Sequence, residues 1–142
     1  MNGRRSMPKK SAAASFAKKV IKTNKAPLPI GPYNQAVAAG KLIYTAGQIA
    51  IDTKTNSICY GSVSEQTRII LGNIKIILEE AGSSLKNVIK TTVYLKNMDD
   101  FQSMSTVYAQ FFEEKTAPAR STIEVARLPK DVLVEIEAVA TT

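Results

Sequence analysis

The sequence predicts an α+β domain, with two helices covering one face of a mixed sheet, and three observations predict it. Apolar residues recur at helical spacing after Ser62 and again after Asp100, and they alternate with period two over 88–95 and through the last strands. The segments follow in the order β-β-α-β-α-β-β, which suits one layer of helices on one sheet. At 142 residues the chain fits one compact domain, able to bury roughly 68–70% of the surface its unfolded form exposes.

Residues 1–25 read as a basic extension and 26–142 as the domain proper. The extension holds eight Lys/Arg and no acidic residue, while the rest of the chain carries eleven basic and twelve acidic side chains, a net charge of −1. The overall charge of +7 therefore belongs to the extension, and the domain lacks the basic face that nucleic acid requires; nucleic acid is not an expected partner. An acid-free, Ser/Ala-rich leader has the composition of an organellar transit peptide. Within it Ala13, Phe16, Ala17, Val20 and Ile21 form an amphipathic helical stripe. A cytoplasmic location is expected, with a mitochondrial one through these residues as the alternative. No apolar run approaches the ~18 residues of a membrane span.

The prolines of APLPIGPY (26–33) bar helix and make a stiff loop. Gln35–Ala38 and Leu42–Ala46 then read as a hairpin around Gly40, followed by a turn at 52–56. Ser62-Val63-Ser64-Glu65 has the form of a capping box and opens a helix carrying Ile69, Ile70, Ile74, Ile77 and Leu78, which Gly82 ends. Val88–Leu95 is a strand with Ile89, Thr91, Val93 and Leu95 on one face. Asp99 or Asp100 can cap a second helix with the stripe Phe101, Met104, Val107, Tyr108, Phe111, Phe112, which reads as core.

The final stretch, APARSTIEVARLPKDVLVEIEAVA (117–140), reads as two strands paired around a Pro-containing turn. If apolar pairs with apolar, Arg120 and Thr122 share a face with Glu135 and Glu137, opposite the helices. Simple solvation suits Glu124 and Glu137. For the face as a whole, burial against another copy of the chain explains its branched residues better. The pattern reaches a polar site at an oligomer interface. With no histidine and a single cysteine, Cys59, which reads as a bystander, a transition-metal site is not expected. Catalysis is left to Arg, Glu, Tyr, hydroxyls, backbone and water.

Three segments in order, APLPIGPYNQAV (26–37), LIYTAGQIAID (42–52) and PARSTIEVARLPKDVLVEIEAVA (118–140), resemble the RidA family, also called YjgF or L-PSP. The resemblance implies a chorismate-mutase-like fold, a homotrimer with sites between subunits, and cofactor- and metal-free hydrolysis of 2-imino and 2-enamino acids to 2-keto acids and ammonia. It assigns Arg120 to the substrate carboxylate, a match for arginine's planar fork. It places Thr122 beside that carboxylate, Glu135 at the hydrolytic water and Tyr33 in the cleft wall. Gly47 marks a close backbone approach. Ala46 stands where the family often has serine, Thr122 where many members have cysteine, and Ser105 where asparagine is common; these departures bear on substrate preference more than on reaction type. Each assignment has a plainer rival: Arg120 as an interface salt-bridge partner of Glu135 or Glu137, Glu135 as a purely structural charge, and Tyr33 as loop packing. Two rival functions remain, an endoribonuclease or translation inhibitor served by the basic extension, and a non-catalytic binder of small carboxylates.

Overall fold

The computed structural model describes residues 17–142. Its strands are β1 (Lys19–Ile21), β2 (Ala36–Ala39), β3 (Leu42–Thr45), β4 (Ile51–Asp52), β5 (Ser57–Ile58), β6 (Val88–Leu95), β7 (Ala119–Glu124) and β8 (Val134–Thr141). Helix α1 (Val63–Glu80) precedes β6, and α2 (Phe101–Tyr108) joins β6 to β7. Six strands form one sheet in the order β1-β2-β3-β8-β6-β7, antiparallel throughout except for the parallel β6–β7 pair. The strands β4 and β5 make a separate small hairpin around the expected turn, which Asp52 Oδ1 closes by accepting from the Lys54 and Thr55 amides.

Helix α1 forms as the sequence predicts. Ser62 and Glu65 exchange both capping-box hydrogen bonds, and Gly82 beyond the end takes φ +80°. Its Ile70, Leu71, Ile74, Ile77 and Leu78 are fully buried against Ile43, Val93, Ile136 and Ala140 of the sheet, each contributing about 1.5–3 kcal/mol. The buried face also carries Gln66, Thr67 and Asn73, and each bonds a carbonyl: Gln66 that of Gly61, Thr67 that of Val63, Asn73 that of Ile51. Gln66 Oε1 further accepts from the Leu133 amide and so ties α1 to the approach of β8.

The largest difference from the sequence reading is at the end of the chain. Strands β7 and β8 do not form a hairpin: β6 lies between them, parallel to β7 and antiparallel to β8. The register puts Arg120 beside Thr91 and Thr91 beside Ala138, with Thr122, Val93 and Ile136 in the next such row. Thr91, Ala138, Val93 and Ile136 are all buried beneath the helices, so Arg120 and Thr122 belong to the helix face. Glu135 and Glu137 stand on the opposite face. The pairing rule failed because it assumed adjacency: β7 is an edge strand, where a polar residue on the covered face can pass beyond the sheet margin.

Smaller corrections have local causes. A β-bulge between Val88 and Lys90 turns Ile89 outward and gives its core place to Val88. The cap before α2 comes from Asn97, whose side chain accepts from the Asp99 amide in a 3-10 turn, and not from Asp99 or Asp100. Phe101 is partly exposed, whereas Met104, Val107, Tyr108 and Phe112 are buried. Glu137 is half-buried and accepts from Tyr94, so it is not a merely solvated charge. In the N-terminal stripe, Val20 and Ile21 are strand and not helix. The open edge of β2 offers β-branched residues a ladder that an isolated short helix lacks. Ala13 and Phe16, and most of the transit-like leader, lie outside the described residues. Among the described residues no helix is long and apolar enough to cross a membrane.

One side chain organises the loop ahead of β2. Buried Gln35 donates from Nε2 to the carbonyls of Thr23 (2.9 Å), Ala26 (3.3 Å) and Pro27 (2.8 Å), and its Oε1 accepts from the Thr23 amide at 2.8 Å. Replacing it with Leu leaves these backbone groups unpaired, at a cost of about 1–3 kcal/mol. Urea unfolding of Gln35→Leu is expected to show that loss.

Candidate functional site

The residues singled out by sequence fall into two sets, on opposite faces of the sheet. The first lines a cleft of about 410 Å³ whose walls include Leu28, Ile30, Tyr33, Gly47, Lys130 and Glu135. Gln35 holds the 26–30 side of this cleft through the bonds just described. The opposite wall depends on a two-way backbone bridge, in which the Gln48 amide donates to the Ile136 carbonyl (2.8 Å) and the Ile136 amide to the Gln48 carbonyl (3.1 Å).

That bridge brings Gly47 against the Glu135 side chain. A Cβ at position 47 would stand 2.0 Å from Glu135 Oε1, so only glycine leaves room for the carboxyl group there. Ala46 lines the same cleft, with its amide bonded to the Gln35 carbonyl at 2.8 Å. The Tyr33 ring forms part of the wall and packs over Gly31; its hydroxyl accepts from the Ile30 amide at 3.4 Å. Burial, and after it the charge of Glu137, pushes the Glu135 carboxyl above its ordinary value. A carboxyl raised in this way exchanges its proton at higher pH than an unperturbed one.

The second set surrounds Arg120. Its guanidinium lies over the Tyr108 ring, 4.7 Å from the centroid, and near the Phe101 ring at 5.3 Å. One Nη2 donates to Ser105 Oγ at 3.1 Å. Phe101, Ser105 and Tyr108 are spaced i, i+4, i+7 on α2, so a single helix face supplies both the aromatic support and the hydroxyl. Tyr108 is itself fixed by a 2.7 Å bond to Thr91 Oγ1, and burial is the main reason its hydroxyl is raised above the ordinary value. Among the described residues the ion pair is Arg127 with Asp131, and no carboxylate pairs with Arg120. Within the chain Arg120 pairs with neither Glu135 nor Glu137. Thr122 lies two residues on, half-buried, on the same face.

Sequence reasoning missed Gln35, Gln48, Gln66 and Lys130. The signal for Gln66 was a polar residue on the apolar stripe of α1. For Gln35 it was a long amide at the start of a buried strand after a proline-rich loop, where backbone groups lack ladder partners. Lys130 and Asp131 both take positive φ, 58° and 57°, in the loop that closes the cleft. Nothing in the preceding residues foretells that geometry.

The family model described as endoribonuclease L-PSP matches residues 23–142. A RutC family protein of Pyrococcus abyssi is 56% identical over 125 residues, covering 88% of this chain and 98% of that protein. The 2-iminobutanoate/2-iminopropanoate deaminase of Salmonella typhimurium is 48% identical over 124 residues, covering 86% and 96%. Among solved structures, Escherichia coli TdcF with bound serine matches with a TM-score of 0.81 and 45% identity, over 87% of this chain and 98% of that one.

The raised Glu135 carboxyl links the cleft to stability. Because folding favours its protonated form, the stability it contributes is fully present below the ordinary carboxylate value and is lost as pH rises through the raised folded one. Glu135→Gln removes that loss. Denaturant midpoints followed from acid to neutral pH are expected to fall less steeply for this variant than for the wild type.

Proposed function

This chain belongs to the L-PSP family, the RidA and RutC proteins, and from that premise we propose that it hydrolyses 2-imino and 2-enamino acids to 2-keto acids and ammonia, in sites completed between copies of the chain. The observation that carries the reading is the division of the site. Arg120 presents a guanidinium that no carboxylate of its own chain neutralises, and Glu135 presents a raised carboxyl on the other sheet face. A second copy, in a trimer as the family resemblance implies, would bring the two together. The identity to a relative named as an imine deaminase and the structural likeness to one with bound serine, a small carboxylate, support it.

The chemistry follows from the two halves. Arg120 grips the substrate carboxylate by paired N–H···O bonds; Ser105 and the ring faces of Tyr108 and Phe101 hold its fork in one plane. Thr122 lies beside that carboxylate. An enamine first takes a proton on its terminal carbon and becomes the imine. Water held between Tyr33 and Glu135 then adds to C2 of the protonated imine while Glu135 accepts the water's proton. Glu135 returns this proton to the nitrogen of the carbinolamine. The C–N bond breaks, its electron pair leaves with ammonia, and the C2 hydroxyl loses its proton to give the keto acid. Positioning plus one proton relay suffices, because such imines already hydrolyse in water. Ala46, which has no hydroxyl, and Ser105, already bonded to Arg120, offer a substrate side chain few polar partners, which favours small apolar side chains.

Release of pyruvate or 2-ketobutyrate from a serine or threonine dehydratase reaction is expected to outpace spontaneous decay when the protein is added. Arg120→Ala is expected to lower kcat/KM by about 100-fold, the worth of a charged carboxylate contact. Full activity in that variant would sink the mechanism. Binding of keto acids without faster imine loss would identify a binder instead.

The family model's description favours endoribonuclease as the second reading. Residues 1–16 hold four basic side chains and no acidic one, and their removal leaves β1 in place. Without them RNA cleavage is expected to collapse and deamination to persist, as paired assays would show.

A further inference from the structure

Glu135 and Glu137 stand two residues apart on β8, facing away from the helices. Tyr94 of β6 lies directly opposite Glu135, yet its hydroxyl reaches diagonally to Glu137 Oε1 at 2.5 Å, the length of a charge-assisted O–H···O⁻ bond. Thr92 of β6 stands directly opposite Glu137, and Lys96 follows the end of β6 with its amide bonded to the Leu133 carbonyl. Lys90 of β6 is turned to Ser121 Oγ of β7 at 2.8 Å, and β7 otherwise offers Ile123. Tyr44 of β3 stands beside Val139, and Tyr33 and Lys130 reach the cleft from the loops. The carboxylate nearest in sequence and register to Glu135 is thus the one that Tyr94 holds.

We propose that Tyr94 is a positioning residue for Glu135, acting through Glu137: its hydroxyl fixes the Glu137 side chain on the flank of Glu135, so that Glu135 meets a neighbouring charge held in one place. This rests on the reading of Glu135 as the group that relays protons. A nearby carboxylate disfavours ionisation of a second carboxyl, and a hydrogen-bond donor that holds the neighbour in place fixes the size of that effect. Here the donor goes to Glu137, whose charge adds to burial in raising Glu135. The Tyr94 hydroxyl is pushed up to about 12, first by its bond to Glu137 and then by burial and the two carboxylate charges, so it remains a donor throughout the working range. Glu137 therefore acts as a fixed neighbouring charge while Glu135 exchanges protons with water.

The test is a carboxyl-resolved NMR titration of the full-length protein, labelled at its glutamate side chains, alongside the pH dependence of kcat/KM for imine hydrolysis. In Glu137→Gln, whose amide can still accept from Tyr94, the Glu135 midpoint moves to lower pH. In Tyr94→Phe, which frees the neighbouring charge, it moves the same way by a smaller amount. The acid limb of kcat/KM follows the Glu135 midpoint in both variants, whereas a merely structural role would lower the rate evenly and leave the limb in place. A Glu135 midpoint that stays put in both variants, or a limb that does not follow it, overturns the proposal. Should the wild type hydrolyse no imine at all, the parent reading fails, and the titration alone still decides whether Tyr94 orders the pair.

Discussion

The alternation of β8 is the constraint on which the rest of this structure depends. Val134, Ile136, Ala138 and Ala140 are buried beneath α1, and the pleat then obliges Glu135, Glu137 and Val139 to face the other way. Because β8 lies between β3 and β6, that alternation is transmitted to both neighbours. On one side it sets the register of β3. On the other it sets β6 and, through β6, the edge strand β7 with Arg120. Moving β8 by one residue would bury two carboxylates under the helices and expose four apolar side chains, a cost no local contact could offset.

The candidate site uses what this arrangement leaves over. The Gln48–Ile136 bridge is the last piece of the β8 ladder, made outside the regular strands, and it sets the backbone of Gly47 against Glu135. A carboxyl crowded by backbone and flanked by a second acid is a poor contributor to stability and a useful proton relay. Arg120 is a similar case: aromatic faces and one hydroxyl support its charge without neutralising it. Both groups are held in place but left electrostatically incomplete within the chain, which is the physical ground for proposing them as site residues.

Much of this was legible in the sequence. The capping box at Ser62, the glycine stop at Gly82, the stripe of α1, and the strands around Gly40 and over Val88–Leu95 all follow from local chemistry. The approach of backbone at Gly47 and the cleft position of Tyr33 followed from motifs spread over the chain. The partners of β7 did not, since the same alternation serves a hairpin with β8 or a parallel pair with β6. The bulge that turns Ile89 out, the use of Asn97 in place of an aspartate, and the strand at Lys19–Ile21 likewise depend on neighbours distant in sequence.

The sequence by itself determined where the two helices and most of the strands form and which residues of each are apolar, because these depend on backbone preference and side-chain chemistry within a few residues. Only the tertiary structure decided that Arg120 and Glu135 lie on opposite faces, that Gln35 ties down the cleft wall, and that Tyr94 reaches Glu137 and not Glu135. Those outcomes turn on strand order and register. They are settled by the burial of the whole sheet at once, and no short stretch of chain contains them.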